Sequence, residues 1–261
     1  MRVPPASKVE LKADERVWVT GDVHLSPGDP ERAGFFVRFL EAARRECDRL
    51  VILGDLFDFW IGPRHALGCA YGPVVEALRA AHAAGFPLEF LCGNRDFLGP
   101  RELEAIGLRV HGDLLLLERP GGARTLVTHG DLLVEGDHAY RRYRRAVRSW
   151  WFHLGYRVVP VWFRLFVARL LRGASQRKLS RVTPYAYPID LATSQSWLAA
   201  HEARELLMGH LHRAEHHAHP GGGATRMLAG WSAAAGPYFL LAGLAGQGAA
   251  GAELRAFPEG N

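Results

Sequence analysis

Leu50–Asp58 reads LVILGDLFD: four apolar residues, a glycine, then an acid. A run this short, ending at glycine, suits a buried strand that stops at a sharp turn rather than a helix. The same signature recurs on both sides. Arg16 to Thr20 runs into GDVH, Leu88 to Cys92 into GNRD, Thr125 to Thr128 into HGD, and Glu205 to Met208 into GHLH. Between these runs the apolar spacing is helical. Phe35, Phe36, Phe39, Leu40 and Ala43 mark a helix over 32–45, and Val74, Val75, Leu78 and Ala81 mark another over 72–84. Strands alternating with helices predict an α/β core. Leu114 to Leu117 and Arg124 to Thr128, joined through Gly121 and Gly122, read as a hairpin. The glycine-rich end, from Gly230 to Phe257, reads as short closing strands. The stretch 138–200 lacks the strand–glycine–polar pattern and reads as mostly helical. The domain reading is therefore a core of 16–137 and 201–257 with a helical cap, 138–200, inserted in it.

The composition is that of a globular chain. Of 261 residues, 48% are hydrophobic and 23% charged, a balance that excludes a disordered chain. Cys47, Cys69 and Cys92 cannot all pair within the chain and show no zinc spacing, which points to a reducing compartment. The first residues lack the apolar core of a signal peptide, and no stretch is apolar enough for a spanning helix.

The charge is unevenly placed. The formal net charge is +5, yet 141–181 holds twelve Lys or Arg and no acid, so 5 − 12 leaves −7 for the rest. That segment also contains WWFHLGYRVVPVWFRLFVARLL. Basic and apolar together suit a membrane surface or an amphipathic ligand better than a nucleic-acid groove, so no nucleic-acid partner is expected. A helical hairpin packing its apolar face on the core is the plainer alternative.

The polar residues beyond the strands carry the chemistry. They are Asp22 and His24, Asp55, Asn94, His129, and His210 and His212. Ligands of open α/β sheets gather outside the carboxyl ends of strands. Imidazole with carboxylate suits manganese, iron or zinc. Seven donors are too many for one ion and suit two ions sharing an aspartate. His216, His217 and His219 sit in a glycine-rich stretch and read as surface residues.

The order D-x-H, G-D-x-x-D, G-N-x-D, H-G-D, G-H-x-H resembles the calcineurin-like metallophosphoesterases from about Val17 to Trp231. The resemblance implies a metallophosphoesterase four-layer sandwich, two packed mixed β-sheets flanked by helices. It implies that Asp22, His24, Asp55 and His212 hold a first metal. Asp55 would bridge to a second, held with Asn94, His129 and His210. Asp96 would orient a ligand histidine.

The wider family usually places histidine where GNRD has Arg95. Arginine does not donate a proton near neutral pH, but its planar fork can grip phosphate oxygens. A phosphate leaving group needs no proton, since its second pKa is near 6. Arg95 therefore points to a pyrophosphate substrate. With GDLFDFWIG, GNRDFL and HGDLLVEGDHAYRRYRR, the chain resembles the UDP-2,3-diacylglucosamine diphosphatases of lipid A, and hence lipopolysaccharide, biosynthesis. That resemblance implies two manganese ions and attack by metal-activated water. The products would be UMP and 2,3-diacylglucosamine 1-phosphate.

The same resemblance implies a peripheral location on the cytoplasmic face of the inner membrane and no obligate protein partner. Asn94 and Arg95 would be catalytic. Asn94, Arg95, Asp137, Tyr140, Arg141, Arg144 and His210 would contact substrate, and Asp137 also reads as a helix N-cap. Aromatic residues from Trp150 to Phe166 would line an acyl pocket, and Lys178, Ser180 and Arg181 are further candidates. The alternative is a metallophosphoesterase for nucleotides or other soluble phosphodiesters.

Overall fold

The computed structural model describes residues 3–60, 62, 66–96, 100–135, 138–147, 149, 188–242 and 251–258. Two six-stranded sheets form its centre. One has the order β1 (Ala6–Glu10), β6 (Leu114–Glu118), β7 (Arg124–Thr128), β8 (Glu205–Met208), β10 (Ala224–Met227), β9 (Glu215–Ala218). The other has the order β12 (Glu253–Pro258), β11 (Ala235–Leu241), β2 (Val17–Thr20), β3 (Arg49–Ile52), β4 (Leu88–Leu91), β5 (Arg109–His111). Both are mixed. The run β2–β3–β4–β5 is parallel and closes with two antiparallel pairings at β11. β6 and β7 form the expected antiparallel hairpin, and β1, ahead of residue 16, adds a parallel edge to β6.

The period of two along each strand builds the layers. Val17, Val19, Val51 and Leu53 point one way and meet Leu115, Leu117, Val127 and Leu207 of the facing sheet. Their neighbours Trp18, Leu50 and Ile52 point the other way, onto α1 (Pro30–Glu46) and α2 (Tyr71–Ala83). On the far side Leu114, Leu116, Leu126, Leu206 and Met208 bury Trp197 and Leu198 of α5 (Leu191–Ala200). Three apolar interfaces between helix, sheet, sheet and helix make the four-layer sandwich. A one-residue slip in β3 would exchange Val51 and Ile52 between two different cores, so the register is tightly specified.

Helix α1 begins where the Asp29 carboxylate accepts from the backbone N–H of Arg32, with Pro30 at its first turn. It carries Phe35, Phe36 and Phe39 inward against Trp231, Tyr238 and Phe257. Two short helices complete the described elements: α3 (Pro100–Glu104) and α4 (His138–Val147). Most of the proposed cap, including Arg148, Trp150 to Phe166, Lys178, Ser180 and Arg181, lies outside the described residues, as does Asp137. The side chain of Arg141 is also outside them.

One histidine differs from expectation. Residues 215–218 form the edge strand β9, and His219 behind it is 7% exposed. Its Nε2 lies 2.8 Å from Thr225 Oγ1, which donates to Ser194 Oγ at 3.2 Å. With its own proton given to Ser194, the Thr225 hydroxyl offers a lone pair to the His219 ring N–H and satisfies it in the interior, which sequence spacing does not reveal.

Candidate metal centre

The polar residues singled out from the sequence converge at the carboxyl ends of β2, β3, β4, β7 and β8. His24 Nε2 lies 3.1 Å from His212 Nε2, and His210 Nδ1 lies 3.1 Å from His129 Nε2. The two pairs flank one carboxylate. Asp55 Oδ2 is 3.8 Å from His24 Nε2, and Asp55 Oδ1 is 3.9 Å from His129 Nε2. Asp22 Oδ1 is 3.6 Å from His212 Nε2. Donors that share one ion at about 2.0–2.2 Å stand roughly 3–4 Å apart, which is the spacing found. Asp22, His24 and His212 form one compact set, and Asp22, Asp55 and His129 a second. The amide end of Asn94 lies 2.5 and 2.9 Å from the two Asp55 carboxylate oxygens.

The backbone is bent to bring them there. Six described non-glycine residues have positive φ, and five of them are Asp22, His24, Asp55, His210 and His212. Such conformations cost about 1–3 kcal/mol each and persist where the surrounding structure enforces them. Close approach adds to this. A Cβ on Gly93 would stand 2.1 Å from Asp55 Oδ1, and one on Gly209 would stand 2.2 Å from Asp22 Oδ2. The glycines of GNRD and GHLH are therefore spatial requirements of the carboxylates beside them.

Hydrogen bonds set the orientation. His129 Nδ1 lies 2.8 Å from the Leu53 carbonyl, so it donates there and its Nε2 keeps a lone pair for a ligand. The His210 backbone N–H donates to Asp22 Oδ2 at 2.7 Å, and that of Arg95 donates to Asp55 Oδ1 at 2.9 Å. Asp96 differs from expectation. Its carboxylate accepts from the backbone N–H groups of Asp55 and Phe57, so it anchors the turn that carries Asp55 rather than a histidine.

The electrostatics are those of a cation site. Burial, then the Asp55 charge, pushes Asp22 well above the usual carboxylate range. Burial pushes Asp55 up to about 6, against the opposing pull of Arg95 and His210. Burial and then His212 drive His24 down to about 2. Burial likewise drives His210 and His212 down to about 4. Crowded carboxylates beside neutral imidazoles are the donor set a divalent ion takes. Asp22 Oδ1 and His24 Nδ1 are buried and make no hydrogen bond among the described residues. The residues present thus fit a two-ion centre, with Asp55 facing both halves. Arg95 lies alongside, its Nε 3.6 Å from Asp55 Oδ2 and without a hydrogen bond among the described residues.

Two of the residues expected to contact substrate sit farther out. Tyr140 Oη donates to Asp131 Oδ2 at 2.5 Å, and Arg144 Nε donates to the same oxygen at 2.7 Å. Asp131 was not singled out in the sequence. Its signal was the acid two residues after His129 in HGD.

A model of the calcineurin-like phosphoesterases matches residues 15–214. The chain belongs to the calcineurin-like phosphoesterases. Three curated relatives share the name UDP-2,3-diacylglucosamine hydrolase. The one from Aeromonas hydrophila is 34% identical over 193 residues, covering 74% of this chain and 79% of the relative. The one from Edwardsiella ictaluri is 35% identical over 203 residues, covering 75% and 76%. The one from Stenotrophomonas maltophilia is 34% identical over 219 residues, covering 80% and 88%. Membership in the phosphoesterases gives the shared aspartate and the paired histidines a common purpose, hydrolysis at phosphorus.

Proposed function

We propose that this phosphoesterase hydrolyses the pyrophosphate of UDP-2,3-diacylglucosamine, releasing UMP and 2,3-diacylglucosamine 1-phosphate, as a step of lipid A biosynthesis. The observation that carries the reading is Arg95, a cation that cannot act as an acid, lying beside the aspartate that faces both histidine pairs. The names of the relatives support the substrate.

Asp22, His24, Asp55 and His212 would hold one ion, and Asp55, Asn94, His129 and His210 the other. Manganese is the proposed metal. Two such ions supply Lewis acidity and lower the pKa of a water for attack on phosphorus. The protein supplies the rest. Asn94 and Arg95, which lie beside Asp55, would stabilise the oxygens on which negative charge builds. The leaving group departs as a phosphate, so no side chain need protonate it. His129 is held in one tautomer by Leu53, and Asp55 is held by the Arg95 backbone and, through its own turn, by Asp96.

The basic, aromatic segment within 138–200 is proposed to be the acyl-binding cap and to rest peripherally on the cytoplasmic face of the inner membrane. No helix among the described residues is long and apolar enough to cross a membrane. Asp137, Tyr140, Arg141 and Arg144 are proposed to serve the sugar phosphate directly or by shaping its site.

The test is hydrolysis of UDP-2,3-diacylglucosamine with and without added manganese, following UMP and lipid phosphate together beside a soluble aryl phosphodiester. Manganese-dependent release of both products with little diester cleavage is expected. Rapid diester cleavage with no action on the lipid would sink the reading and leave a phosphoesterase for soluble substrates.

A further inference from the structure

The chain leaves the metal centre and returns through a narrow neck. Directly after the ligand His129 it makes a 3-10 turn, Asp131–Leu133, and an isolated antiparallel bridge joins Val134 to Ile189. The Glu135 N–H donates to the Pro188 carbonyl at 3.0 Å, and the Asp190 N–H donates to that of Leu133 at 2.7 Å. The paired base, 133–135 against 188–190, thus begins four residues beyond His129.

Helix α4, HAYRRYRRAV, starts this insert. A helix of ten residues is marginal by itself, and adjacent arginines repel. Its anchor is Arg144, whose side chain is 11% exposed. One edge of the guanidinium meets Asp131, 3% exposed, through Nε at 2.7 Å. The other edge meets Asp113 with Nη2 at 2.5 Å and Nη1 at 3.3 Å. Tyr140 adds its hydroxyl to Asp131. Asp113 sits in the turn before β6, and its carbonyl accepts from Thr128 Oγ1 beside His129. The turn packs closely on β8, since Gly130 has φ +108° and a Cβ there would stand 2.6 Å from the Met208 side chain.

We propose that Asp131 and Asp113 are positioning residues: through Arg144 they lock α4 to the loop bearing His129, and so set where the non-reacting part of the substrate docks over the metal centre. This rests on the proposed function, in which the insert receives the sugar and acyl chains. A charge-assisted bond is directional, so the clamp fixes the angle at which the insert leaves the core. Binding of the remote part of a substrate depends on that placement, whereas a small diester needs only the metal centre.

The test compares wild type with Asp131→Asn and Asp113→Asn. KM for UDP-2,3-diacylglucosamine should rise roughly tenfold in Asp131→Asn and about threefold in Asp113→Asn, with kcat nearly kept, as expected for losing a charged hydrogen bond. Asp113→Glu should recover most of that loss, and Asp113→Asn should leave soluble aryl diester cleavage unchanged. In substrate-free protein, backbone amides of 138–147 should exchange hydrogen faster in both Asn variants while those of 205–208 hold. Parallel losses on lipid and diester, or no change in KM, would overturn the positioning role. Unchanged exchange over 138–147 would overturn the clamp itself. If wild type does not cleave the lipid at all, the functional reading fails, and the exchange measurement still judges the clamp.

Discussion

Two buried polar clusters sit at opposite ends of the same parallel strands. At the carboxyl ends lie Asp22, Asp55, Asn94 and the histidines. At the amino ends Glu89 of β4 is bonded by Arg49, lies 2.5 Å from His111 Nε2, and has Arg109 Nε at 4.0 Å. Asp22 and Glu89 are each 1% exposed. Burial raises the pKa of both, but the outcomes differ. For Glu89 the hydrogen bond and charge of His111, then Arg49 and Arg109, outweigh burial and hold it below its ordinary value. For Asp22 the neighbouring charge is Asp55, which adds to burial. The Glu89 cluster is complete without a ligand. The Asp22 cluster is crowded with donors, bent into positive φ and short of positive charge. Buried charge that the fold neutralises itself is costly to break, and buried charge that it leaves uncompensated marks a candidate site for a cation.

Substitution should separate the two clusters. Asp22→Asn or His129→Ala should remove activity well beyond the ~10- to 100-fold that loss of an outer partner costs, with the fold intact by circular dichroism. Near-normal turnover in either would break the assignment of the carboxyl-end cluster. Glu89→Ala should do the reverse. Removing one member of a buried ion pair costs about 3 kcal/mol, read as a lower urea midpoint, while specific activity of the folded enzyme stays within twofold. If Glu89→Ala abolished activity at full stability, the two clusters would not differ in kind.

Arg95→His probes the cationic side of the carboxyl-end cluster, since it exchanges a permanent cation for a titratable acid. Turnover of the UDP-lipid should fall about tenfold, as for a lost charged hydrogen bond. A faster variant would refute the pyrophosphate argument.

The smallest effect is in acid. Because the Glu89 pKa is lowered on folding, its contribution to stability is present above the ordinary glutamate value of about 4.3 and is lost as pH falls through the folded value. His111, Arg49 and Arg109 are the charged groups that face it. Urea midpoints of wild type should therefore decline more steeply below about pH 4.3 than those of Glu89→Gln. Parallel declines would mean that the pair is not what holds Glu89 ionised.

Much of the candidate site was legible because polar residues at strand ends leave a local trace. Asp22, Asp55, Asn94 and His210 each follow a short apolar run and a glycine, and Gly93 and Gly209 show why: no Cβ fits beside Asp55 or Asp22. What stayed hidden was pairwise. Asp96 reads from its spacing as a partner for histidine, but it reaches the backbone of Asp55 across forty-one positions of chain. His219 reads as a surface residue until Ser194 and Thr225 close over it. Asp131 is one more acid near a histidine until α4 brings Tyr140 and Arg144 to it.

The amino-acid sequence by itself determined the alternation of strand and helix, the polar residues at the strand ends and the basic segment, because period, turn chemistry and charge are local properties of the chain. Only the tertiary structure decided which side of each strand enters which of three cores. It also decided that one aspartate faces two histidine pairs, and that Arg144 joins two acids thirty-one and thirteen residues away. Those depend on where distant segments meet, and that is set by packing the sheets against each other rather than by any one stretch of residues.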